Sequence, residues 1–159
     1  MTTANYDKQP CPVARTLAVL GDQWTLLIVR DALSGIRRFS EFHASLGLSR
    51  NLLTRRLNQL CVHGVLAKVP IPGSRRFAYE PTPKCLELRT VILAMAQWGE
   101  RWRGDADVTR VEVVDSETGA PVRLGFYRED TGELVAQDQL RVHRRHAVSE
   151  TAAPRAVKQ

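Results

Sequence analysis

Residues 46–64 read LGLSRNLLTRRLNQLCVHG, and this stretch decides the fold. Gly47 closes a short helix, and Ser49 is placed to cap the next one over 50–63, with Gly64 just past its end. Two helices joined by so tight a glycine-containing turn make a helix-turn-helix pattern. Within the second helix Leu52, Leu53, Leu57 and Leu60 lie on one face. Asn51, Thr54, Arg55 and Asn58 recur at i, i+3, i+4 and i+7 on the other. Arginine reads guanine, asparagine reads adenine, and threonine suits a thymine methyl or a phosphate. An ordinary surface helix carries the same residue types, but no acidic residue occurs from Leu46 to Val69. A helix chosen only for solubility would mix the signs. Ser49, Arg50, Asn51, Thr54, Arg55 and Asn58 are therefore the candidate DNA-reading residues.

Upstream, Phe39, Phe42 and Leu46 form the stripe of the short helix, and Arg37 and Arg38 just before it are further candidate DNA contacts. Asp22 suits the N-cap of a largely apolar core helix over 24–33. Pro12 suits the first turn of a helix ending near Gly21, with Val13, Leu17 and Leu20 on one side. Downstream, 65–70 and 77–80 suit two strands, and Pro72-Gly73-Ser74 is turn chemistry between them. This predicts a hairpin with Arg75 and Arg76 near its tip, a wing whose arginines reach the adjacent minor groove and phosphates. Thr82-Pro83 opens a long helix to about Trp102. Its stripe of Leu88, Val91, Ile92, Met95, Trp98 and Trp102 is wider than one chain needs to cover, which predicts pairing with a second copy.

The character changes after Gly104. The segments 108–114, 121–127 and 133–140 alternate like strands, and Thr-Gly recurs at 118–119 and 131–132 as a turn signal. The predicted organisation is a disordered 1–10, a DNA-binding and dimerisation domain over 11–104, a small three-stranded β-meander over 105–142, and a flexible tail over 143–159. So small a sheet is not stable alone and should dock on the main domain or its dimer mate. The fold class is α+β, mostly helical: a winged helix-turn-helix with flanking dimerisation helices and a small C-terminal meander.

Charge follows the same division. The net charge is +6, yet residues 35–89 hold 10 basic and 3 acidic side chains, while 105–159 hold 8 and 10. A basic patch of that kind favours a polyanion. Cys11, Cys61 and Cys85 form no C-x-x-C and no disulfide framework, so neither a metal nor another cofactor is expected. There is no signal-peptide pattern and no apolar run long enough to span a membrane, which fits the cytoplasm, at the nucleoid. No G-x-S-x-G, P-loop, H-E-x-x-H or dinucleotide fingerprint occurs, and no carboxylate pair is placed for acid–base work, so an enzyme is not expected. A winged-helix protein–protein adaptor without DNA binding is the other reading. Such an adaptor would have been free to accept acids on the face of Asn51, Thr54, Arg55 and Asn58.

The motifs Cys11-Pro-Val13, Gly21-Asp-Gln-Trp-Thr-Leu-Leu-Ile28, Arg38-Phe-Ser-Glu-Phe42, Leu48-Ser-Arg-Asn-Leu-Leu-Thr-Arg-Arg-Leu57 and Trp98-Gly-Glu-Arg-Trp102 together resemble the HxlR family of bacterial winged-helix regulators. The resemblance covers 11–103. It implies a homodimer joined through the first and last helices of that region. It also implies a near-palindromic operator, with repression or activation set by the promoter, the helix 50–63 in the major groove and the hairpin 65–80 as wing. Cys85 stands where the family usually has glycine, with little expected effect on the fold. The resemblance also implies two possible inputs. One is thiol oxidation at Cys11, whose place at a helix N-terminus favours thiolate. The other is a small-molecule effector near the dimer interface, where Trp24, Trp98 and Trp102 are candidate lining residues. The same tryptophans at helical spacing also suit an ordinary core.

Overall fold

The computed structural model of the chain describes residues 9–103 and 112–143. Five helices, α1 (Pro12–Leu20), α2 (Gln23–Leu33), α3 (Phe39–Leu46), α4 (Arg50–Val62) and α5 (Pro83–Arg103), surround one antiparallel hairpin, β1 (Leu66–Pro70) with β2 (Phe77–Pro81). Local chemistry sets the boundaries. Pro12 occupies the first turn of α1, where its missing N–H costs nothing. Asp22 caps α2 by accepting from the Trp24 amide at 3.0 Å. Gly47 ends α3 at φ 63°, a left-handed conformation that favours glycine. Ser49 then accepts from the Leu52 amide to start α4. The Thr82 hydroxyl accepts from the Cys85 amide at 3.3 Å and donates to the Gly64 carbonyl at 2.7 Å, so it ties the start of α5 to the end of α4.

The core lies where α2, α3, α4 and the hairpin meet. Ile28, Val29, Phe42, Leu53, Leu57, Leu60, Val65 and Leu66 are fully or almost fully buried there. Phe42 meets Tyr79 edge-on, with ring centroids 6.4 Å apart. Cys85 is fully buried against this cluster, in keeping with its expected behaviour as a small apolar residue. The hairpin also gains an outer partner. Arg38 bridges Ala78, and the Tyr79 amide donates to the Arg37 carbonyl at 2.8 Å. The loop before α3 thus runs along the edge of β2 and fixes the wing to the helices.

The described residues fall into two compact units, one up to Leu124 and one from Gly125 onward. The division comes later than the change of character at Gly104, because the turn around Gly119 belongs to the first unit. Val114 bridges Pro121 across that turn, and Gln97 on α5 donates to the Val122 carbonyl at 3.4 Å. In the second unit β3 (Phe126–Tyr127) pairs with β4 (Leu134–Val135), followed by a 3-10 turn at Gln137–Gln139. Pairing thus follows the order expected of the meander, but no three-stranded sheet forms among the described residues. Pro121 brings no N–H to a ladder. Gly125 admits the Leu134 side chain so closely that a Cβ there would lie 2.6 Å from it. The two Thr-Gly pairs do mark turns. Gly119 and Gly132 have φ of 70° and 72°, and each donates its amide to the carbonyl four residues earlier at 2.9 Å. Most of the expected disordered N-terminus, most of the tail and the segment 104–111 lie outside the described residues.

Candidate nucleic-acid interface

Helical periodicity divides α4 cleanly. Leu53, Leu57 and Leu60 are buried, while Asn51, Thr54, Arg55 and Asn58 are exposed. These four line one shallow open depression together with Gln59, Val62 and His63. Ser49 and Arg50 are exposed at the start of the same helix. The last three lining residues escaped the sequence reading. Gln59 and Val62 continue the rows of Asn51, Arg55 and Asn58 at four-residue steps, so the periodicity held the signal. Val62 is 83% exposed.

Arg56 behaves differently from its neighbour. Its side chain is 19% exposed, and its guanidinium donates to Asp22 Oδ2 and, at 2.9 Å, to Gln59 Oε1. Asp22 therefore caps α2 with one carboxylate oxygen and holds α4 with the other.

Arg75 and Arg76 stand exposed in the wing turn. That turn is closed by the Ile71 amide on the Arg76 carbonyl and the Ser74 amide on the Ile71 carbonyl, both at 3.1 Å, with Gly73 at φ 72°. Lys68 adds a third wing cation, its ammonium 4.5 Å from the centre of the Phe77 ring. Arg38 is exposed at the N-cap of α3. Arg37, expected among the DNA contacts, has another task. Its Nε donates to Glu80 at 2.8 Å and its Nη1 to the Ala32 and Ile36 carbonyls. These bonds join the loop before α3 to α2 and β2, and they occupy its guanidinium. Glu41 accepts from the Arg37 and Arg38 amides, and those bonds hold its carboxyl below the usual range.

The cysteines occupy three different settings. Cys11 is exposed at the N-cap of α1. Cys61 is half-buried and Cys85 buried, and desolvation raises both thiols, which disfavours the reactive thiolate. The three tryptophans do not share one environment: Trp24 packs against the core, whereas Trp98 and Trp102 are exposed on α5. Among the described residues no group of three or more His, Cys, Asp or Glu is placed to hold a metal ion. No helix there is long and apolar enough to cross a membrane.

The profile of the HxlR-like helix-turn-helix family matches residues 19–107. The chain belongs to this family. Among HxlR-type relatives, the HTH-type transcriptional regulator Rv3095 of Mycobacterium tuberculosis is 36% identical over 91 residues, or 57% of this chain and 58% of that protein. The match thus spans less than two thirds of the mycobacterial relative. The regulator sll1512 of Synechocystis is 32% identical over 109 residues, 64% of this chain and 81% of that one. Two solved structures share the winged-helix fold. PA1607, described as a proposed transcription factor, is 41% identical with a TM-score of 0.79 and covers 88% of this chain and 99% of its own. Coverage that wide takes in much of the region beyond the HxlR match, so that region too has a counterpart in PA1607. The redox regulator HypR in its reduced form is 28% identical with a TM-score of 0.55, covering 58% of this chain and 94% of its own.

Proposed function

We propose that this HxlR-type chain regulates transcription by binding double-stranded DNA sequence-specifically, as a homodimer on a near-palindromic operator, in the cytoplasm at the nucleoid. The observation that carries the proposal is the outward face of α4. Asn51, Thr54, Arg55 and Asn58 share one exposed depression on a helix with no acidic residue. A helix anchored by leucines and polar on its free side meets what the major groove requires. Arg50 at the helix start and Arg75 and Arg76 in the wing supply the phosphate contacts that fix register without reading sequence.

Arg55→Ala should cost about 1–3 kcal/mol on the preferred site and flatten the preference at one base pair of each half-site. Arg75→Ala and Arg76→Ala should weaken all duplexes alike. Anisotropy titrations of matched and mismatched duplexes separate the two behaviours. An Arg55→Ala protein with unchanged affinity and preference would mean that another face of α4 reads the DNA.

The dimer is supported by apolar surface that one chain leaves in water. Val13 and Leu17 on α1, with Val91, Met95, Trp98 and Trp102 on α5, remain 45–65% exposed. Exposed large apolar side chains recurring along these two helices point to an interface rather than a solvated face, and the closed two-fold arrangement is the commonest way to cover them. Met95→Glu would place an unpaired charge in that contact, so it should raise the dimer dissociation constant by at least about 100-fold. Sedimentation equilibrium measures this directly. A variant as dimeric as the wild type, or a monomeric wild type, would remove α5 from the interface.

A further inference from the structure

Of the three arginines on α4, Arg50 and Arg55 face outward and Arg56 turns in. Its guanidinium sits between an anion and an amide. Nη2 bonds the Asp22 carboxylate, and Nη1 bonds Gln59 Oε1 at 2.9 Å. Asp22 is itself fixed, because its other oxygen caps α2 at the Trp24 amide. A chain of bonds thus runs from the start of α2 through α4 to a glutamine on the outward depression.

Gln59 follows Arg55 by four residues and Asn51 by eight, so the three side chains form one row. That row extends about 12 Å along the helix, about the width of the major groove. A free glutamine loses rotamer entropy when it binds; Arg56 has already ordered this one. The order also decides polarity. With one lone pair of Oε1 taken by Arg56, the group that keeps its full bonding capacity for a ligand is the Nε2 amide, which carries two donors. Guanine offers two acceptors on its major-groove edge, N7 and O6. Adenine offers one acceptor beside a donor, and a glutamine reads it only when Oε1 is available.

We infer that Gln59 is a specificity-determining residue that selects guanine at one base pair of each half-site, and that Arg56, held by Asp22, is the positioning residue that imposes this choice. The inference rests on the DNA-binding role proposed above. Arg56 touches no base and acts only through Gln59.

The test is selection of binding sites from a randomised double-stranded DNA library, using the full chain as wild type, Gln59→Ala and Arg56→Lys. Lysine keeps the cation beside Asp22 but lacks the second arm that reaches Gln59. Wild type should enrich guanine at the affected position by about tenfold over the other bases. Gln59→Ala should lose that preference there and nowhere else. Arg56→Lys frees Oε1, so the same position should shift from guanine towards adenine. A merely structural Arg56 would lower affinity for all sequences and leave the preferences in place, which overturns the inference. So does a Gln59→Ala protein that selects the wild-type site at every position; Gln59 is exposed, so this variant does not depend on Arg56→Lys folding. A wild type that enriches no sequence overturns the DNA-reading role itself and this inference with it.

Discussion

Raising the salt from 50 to 200 mM is expected to weaken DNA binding by roughly 10³–10⁵-fold. Arg38, Arg50, Arg75 and Arg76 are exposed around α4 and the wing, and the proposed dimer would double the set. About 6–10 phosphate contacts are then neutralised, and each releases condensed counterions on binding. No carboxylate on α4 opposes this, and the acidic Glu80 in wing strand β2 is already held by Arg37. A plot of log affinity against log salt from anisotropy titrations should have a slope of about −5 to −9. A slope shallower than about −2 would mean that the basic surface does not meet a phosphate backbone. Removing Arg75 and Arg76 together should flatten the slope by several units, since a dimer loses up to about four contacts.

Phe42→Ala should cost about 3–5 kcal/mol of folding stability. Phe42 is fully buried on α3, edge-on to Tyr79 of β2, in the cluster with Ile28, Leu53 and Leu57. Truncation removes its apolar surface and leaves a cavity between the helix-turn-helix and the wing, where three elements restrain collapse. A domain of this size has only about 5–15 kcal/mol in total. The melting temperature should therefore fall by roughly 10 °C or more. Val62→Ala, on a side chain mostly in water, should change it by less than about 2 °C. A Phe42→Ala protein that melts with the wild type would place the core elsewhere. Thermal denaturation followed by circular dichroism distinguishes these outcomes.

Local chemistry explains why most of the helical framework is legible in the residues. Pro12, Asp22, Gly47, Ser49 and the Thr82-Pro83 pair act within a turn of where they stand, so their meaning does not depend on distant chain. The outward row of α4 is legible for the same reason, because periodicity alone opposes it to the leucines. Periodicity also held a signal that a simple count of arginines misses. Arg56 is four residues from both Leu52 and Leu60, on the inward side, whereas Arg55 is one step round the helix. What no local pattern discloses is the partner. Asp22 lies 34 residues before Arg56 and Glu80 lies 43 after Arg37. A long-range ion pair leaves no periodic trace, and for this reason Arg37 reads as a DNA contact by charge alone. The edge contact of Arg38 with Ala78 is a single bridge, too short to alternate. Among the described residues beyond Gly104 the alternation corresponds to pairings of only one or two residues, which satisfy it as well as three full strands do.

The most direct test of the central claim is the affinity of the wild-type chain for its selected duplex and for a scrambled duplex of the same composition, both by fluorescence anisotropy at one salt concentration. Sequence reading by α4 predicts a preference of at least about 10³-fold for the selected site. Equal affinity for the two duplexes, or none for either, would contradict it.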